Sequence, residues 1–184
     1  MATAATLHLA SLGARRAPSA NRREALALFV CAALPLGLIG LVDLAAETFG
    51  LVPLFFTPFG LPAWSGAAAH LVQLALLGAA YWALTRQRYH GRVQVWLLIL
   101  IAAYIVLPFI TPALDSLQLG LVCTAVFVFA LATVARVGAI APLGGWMLAP
   151  MLVMTGLSAA MGLAMAAYAP PFALMQSQQP PPAA

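Results

Sequence analysis

Four short charged or polar interruptions divide an otherwise apolar chain into five long hydrophobic stretches, and that division limits what the chain can fold into. Hydrophobic residues fill 64% of the 184 positions and charged residues only 7%. A soluble domain of this length needs far more charge to cover its surface. A helix needs about 20 apolar residues to cross the hydrocarbon core of a bilayer. The pattern therefore predicts an all-α, multi-pass membrane protein: a five-transmembrane-helix bundle whose function lies between its helices.

The expected spans cover 25–42, 64–84, 93–110, 117–135 and 146–168. Pro35 and Gly37 are expected to kink the first span, and Asp43 and Glu47 to end it. The connection 48–63 carries Phe49, Pro53, Phe55, Phe56, Pro58, Phe59 and Pro62. It is too apolar for a solvated linker, so it is expected to lie against the bundle or at the interface, as a lid. Thr111, Pro112 and Asp115 are read as one short turn, and Pro142, Gly144 and Gly145 as another. Three regions follow: a basic arm over 1–23, the transmembrane domain over 24–168, and a disordered Pro/Gln-rich tail over 169–184. The arm has the charge of a signal peptide, but its apolar sequel is long and lacks a small-residue cleavage site.

The charges are few and sorted. Eight arginines, no lysines and four acids give a net charge of +4. The arginines gather in the arm, between Arg86 and Arg92, and at Arg136, whereas Asp43, Glu47 and Asp115 sit at the other span ends. Only an odd number of spans keeps the two sets apart. The positive-inside rule then puts the N-terminus in the cytoplasm and the C-terminus outside, with the inner membrane of a bacterium as the expected location. Basic residues at membrane boundaries orient a chain, so no nucleic-acid partner is expected. Cys31 and Cys123 fall inside spans without CxxC spacing and read as small buried hydrophobes.

Ionisable groups inside a membrane are costly, which makes them functional candidates. Span 2 supplies His70, with Gln73 one turn on and Gly66 one turn before, where a flat macrocycle has room to approach. One reading makes His70 a tetrapyrrole ligand; the plainer one bonds it to a neighbouring carbonyl or to water. Tyr81, Trp82, Tyr89 and Trp96 read as interfacial anchors. Small residues recur at four-residue spacing, Gly156 with Ala160 and Ser158 with Gly162, which suits helix packing within the bundle or in a homodimer. No acyl-transfer triad, metal-ligand set, P-loop or dinucleotide loop is present. No positive feature supports an enzyme, and no catalytic residue or metal site is expected.

Pro62-Ala63-Trp64 at the start of span 2, Pro108 within LPFITP late in span 3, and Pro150 ahead of a small-residue run in span 5 follow one another in a familiar order. Over about residues 25–168 the chain resembles a divergent member of the TspO/MBR family, the tryptophan-rich sensory proteins related to the mitochondrial translocator protein or peripheral benzodiazepine receptor. It departs from the family pattern in LILIAAYIVLP, where Tyr104 is the only aromatic, and at Met151 and Met154. The resemblance implies a bundle, often dimeric, with a pocket beneath the first loop that binds porphyrins or other tetrapyrroles. It places Trp64 and Pro150 at that pocket. His70 and Gln73 come from the reading of the residues.

The expected function is thus a TspO-like receptor or sensor for a flat hydrophobic ligand, with a regulatory or transport role. The rival is a non-catalytic accessory subunit of a larger membrane complex, for example a pigment–protein complex. The expected partners are the bilayer, a small hydrophobic ligand, a second copy of the chain, or subunits of such a complex. The charge sorting yields a direct test of topology in a bacterial host. A periplasm-dependent phosphatase fused to the C-terminus should be active, and a cytoplasm-dependent reporter fused there should be silent.

Overall fold

The computed structural model describes residues 22–57, 60–87 and 91–168. Five of its helices are long and apolar enough to span a membrane. Helix α1 runs Arg22–Thr48, α2 Ala63–Arg86, α3 Arg92–Ile110 and α4 Ser116–Ile140; the last span is two helices, α5 Pro142–Met147 and α6 Ala149–Tyr168. The protein is an all-α bundle of five spans. Most of the expected basic arm, and all of the expected tail, lie outside the described residues, as do Pro58, Phe59, Arg88, Tyr89 and His90.

Local chemistry sets the helix ends. Asp43 and Glu47 do not stop α1, which continues to Thr48. It ends in a Schellman turn: Leu51 N–H donates to Ala46 O at 3.0 Å and Gly50 N–H to Glu47 O at 3.1 Å. Gly50 takes φ +69°, which glycine adopts without steric cost. Asp115 begins α4 as an N-cap and closes a capping box with Gln118. The segment around Pro142 is helix rather than a turn, because proline suits the first helical position, where no N–H is needed. Pro35 lies inside an uninterrupted α1.

Two antiparallel pairs, α1 with α2 and α4 with α6, make up most of the bundle. Helix α3 touches α1, α2 and α4, and α5 touches α2 and α4. Half of the α2 span and 44% of α3 are buried, against 11% of α1, so α2 and α3 form the centre and α1 lies at the periphery. Leu74, Leu77, Leu84, Leu97, Leu100, Val137, Leu148 and Met151 fill the core and are almost wholly buried. The outward faces of all the spans are apolar, as lipid requires.

Arginines mark one end of the bundle. Arg86 of α2 lies 3.5 Å from Glu24 of α1 and sits over Trp82. Arg136 of α4 lies 4.0 Å over the Trp96 ring, which stacks on Phe129. The aromatic residues read as anchors thus also hold cations. Asp43, Glu47 and Asp115 sit at span ends facing the opposite way.

Close backbone approach fixes the helix pairs. A Cβ on Gly162 would lie 2.8 Å from Gly120 Cα, so α4 and α6 meet through two glycines. A Cβ on Gly78 would run into the Cys31 carbonyl. That carbonyl is the one Pro35, four residues on, leaves without its helical N–H donor. Between α1, α2 and α3 remains an apolar groove of about 400 Å³, lined by Pro35, Leu38, Gly78, Tyr81, Leu98 and Ile105 among others. Gly37 and Gly40 meet nothing within 4 Å. A paired substitution tests this packing. Gly78→Ala should destabilise the bundle by about 1–3 kcal/mol, as overpacking does, while Gly40→Ala should leave its stability unchanged. Thermal unfolding followed by tryptophan fluorescence separates the two.

Candidate functional site

Most of the buried polar side chains of the described spans converge at the acidic end of the bundle. Four polar residues are buried among those described: His70, Gln73, Thr133 and Thr155. Three of them line one recess of about 50 Å³, together with Tyr104, Thr111, Ser158, Phe55, Phe56, Gly66, Leu107, Pro108 and Met154. In a chain with so little polarity this clustering is the strongest mark of a site.

Helix α2 contributes His70 and Gln73, three residues apart and therefore on one face. Helix α3 supplies Tyr104, whose hydroxyl donates to Gln73 Oε1. The His70 ring stacks on Tyr104, with centroids 4.3 Å apart and an interplanar angle of 19°. Phe55 lies tilted against the same imidazole, with centroids 5.3 Å apart. Helix α6 adds Thr155 and Ser158, again three residues apart. Their hydroxyls donate back to their own helix, to Met151 O and Met154 O, both at 2.9 Å.

Prolines create the remaining polarity. Pro108 lacks an N–H, so the Tyr104 carbonyl four residues earlier loses its helical donor. His70 lies beside that freed backbone group. Nε2 of the His70 ring is buried and has no hydrogen-bond partner among the described residues. Pro112 repeats the effect one turn on and frees the Pro108 carbonyl. Leu54 N–H donates to that carbonyl at 2.8 Å, and the Thr111 hydroxyl at 3.1 Å. Thr111 also lies 3.3 Å from Leu54 O. The α1–α2 connection is thereby seated on the broken end of α3, against the bundle as its apolar composition predicts.

Gly66 serves the loop. A Cβ there would lie 2.6 Å from Thr57 Cγ2 and 2.7 Å from the Phe56 carbonyl oxygen. The space above it, read from sequence as room for a macrocycle, holds backbone. Of the four expected site residues, the structure brings His70 and Gln73 together. Trp64, 72% exposed, and Pro150, also exposed at the first turn of α6, do not line the recess. Tyr104, Thr155, Ser158, Phe55 and Phe56 were missed as site residues. Thr155 and Ser158 carried one usable signal, a shared polar face on an otherwise apolar helix.

Compared with known proteins, the chain matches no family model, no curated protein and no solved structure. The site is therefore read from its own geometry.

The Tyr104–Gln73 bond joins the two central helices. Tyr104→Phe should cost about 1 kcal/mol, because it leaves a buried carbonyl oxygen unpaired. The double change with Gln73→Leu should cost less than the sum of the single changes. A denaturation cycle in mixed micelles measures that coupling.

Proposed function

We propose that this protein is a non-catalytic, TspO-like membrane receptor that takes a small hydrophobic ligand beneath its α1–α2 loop. The observation that carries this reading is the convergence of buried polar side chains, with an unpartnered His70 Nε2, under an apolar lid. Such a site combines apolar burial with a few directional groups, as ligand pockets do. The proposed setting is the inner membrane of a bacterium, with the arginine-bearing end of the bundle in the cytoplasm.

A porphyrin or other tetrapyrrole is the ligand class the sequence resemblance puts forward. Pockets for ligands of that kind typically span about 300–1,000 Å³. The recess, at about 50 Å³, does not fit a macrocycle while the loop is seated. Uptake of a tetrapyrrole would require Phe55 and Phe56 to move off His70. Few hydrogen bonds oppose this, since the 51–57 segment has no regular structure and is joined to α3 through Leu54. Trp64, at the exposed start of α2, would then stand at the rim of the opened site.

The accessory-subunit reading keeps one observation in its favour. Helix α1 is only 11% buried and presents Gly37 and Gly40 outward, a face on which a further helix can pack closely.

Titration of the purified protein with protoporphyrin, followed by tryptophan quenching, tests the receptor reading. Saturable binding is expected. It should weaken several-fold in His70→Ala and in Trp64→Ala, and strengthen in Leu54→Pro, which removes the N–H that pins the loop. Quenching without saturation would discard the tetrapyrrole. Comigration of the protein with a large assembly in mild detergent would favour the accessory subunit.

A further inference from the structure

The recess has an uneven stock of protons. The Thr155 and Ser158 hydroxyls spend theirs on carbonyls of α6, and the Tyr104 hydroxyl spends its own on Gln73. The His70 ring stacks on the Tyr104 ring, and its Nε2 has no partner among the described residues. Toward a ligand, the wall offers the unpartnered Nε2, lone pairs at the Tyr104, Thr111, Thr155 and Ser158 hydroxyl oxygens, and the donors of the Gln73 amide. A carboxylate or phosphate would meet lone pairs and no cation. An ammonium group would meet no carboxylate and would lose its hydration. A neutral hydroxyl fits, since it donates one proton and accepts in return. The recess, at about 50 Å³, has room for little more than one such group, given that a water takes about 30 Å³ of liquid.

A second space adjoins the recess. An apolar cleft of about 150 Å³ runs between α3, α4 and α6 and shares Phe56, Leu107, Thr111 and Ser158 with it. Leu119, Cys123, Met161 and Met165 line its far part. Methionines accommodate flexible chains well. The two spaces therefore adjoin across these four residues, polar at His70 and apolar toward the end of α6.

We propose that recess and cleft together bind a long-chain alcohol, its hydroxyl donating to His70 Nε2 and accepting from the Gln73 amide, its chain lying along the cleft. This goes beyond the receptor reading in naming a hydroxyl head, and it requires the side chains lining the recess to shift enough to expose the buried Nε2. It stands whether or not a tetrapyrrole binds.

The test uses the full chain in lipid nanodiscs, with dodecanol, methyl dodecyl ether and dodecane as probes. Dodecanol should raise the thermal unfolding midpoint by several degrees, and the ether and alkane should not. His70→Phe and Met161→Trp, which blocks the cleft, should each weaken the dodecanol effect about tenfold or more, the loss expected when one good polar contact goes. Nitrogen NMR of histidine-labelled protein provides a readout that needs no variant: the His70 Nε2 resonance should move with dodecanol and stay with the ether. Equal effects of alcohol and ether, or a dodecanol effect that survives His70→Phe, would overturn the proposal. So would an Nε2 resonance that ignores dodecanol, which would leave the recess to water. Protoporphyrin plays no part in these measurements, so the tetrapyrrole reading can fail while this one holds.

Discussion

A backbone carbonyl inside a bilayer has no water to bond, so each one that proline strips of its helical donor must find another partner. This protein depends on that constraint in three places. Pro35 frees the Cys31 carbonyl, which lies against Gly78 and brings α1 close to α2. Pro108 frees Tyr104 O, beside His70. Pro112 frees Pro108 O, and the first loop docks there. Helix pairing, site and lid thus each meet at a carbonyl that proline frees, and the Pro108 carbonyl regains two donors.

The spans were legible because hydropathy and length carry so much of the signal in lipid. The five stretches read from sequence coincide with α1, α2, α3, α4 and the α5–α6 pair, with ends shifted by a few residues. The shifts have local reasons. Asp43 and Glu47 sit within the last turns of α1 because charge alone does not break a helix, whereas Gly50 does end it. Pro142 starts a helical turn instead of preventing one.

The site was half legible. His70 and Gln73 stood out because polar residues are rare in such a chain. Their partners did not, because Tyr104 reaches Gln73 across 31 positions of sequence and Thr155 comes from a span whose register against α2 no single sequence reveals. Ser158 was read with Gly162 as part of a packing row. Gly162 packs against Gly120 and also borders the cleft, while Ser158 lines both the recess and the cleft. Residues on one helical face can therefore divide between structure and site, and only the neighbouring helix decides which.

The Pro108 carbonyl accepts from two donors at once, Leu54 N–H from the loop and the Thr111 hydroxyl from its own segment. A carbonyl left alone in apolar surroundings would cost about 1–3 kcal/mol, which would act as a latch. Here, if the loop departs, the hydroxyl remains. The helix end is insured against the loss of its lid, so opening is opposed mainly by the apolar contacts of Phe55 and Phe56. Those contacts are the kind that a hydrophobic guest can replace in kind, which makes the lid exchangeable with its own cargo.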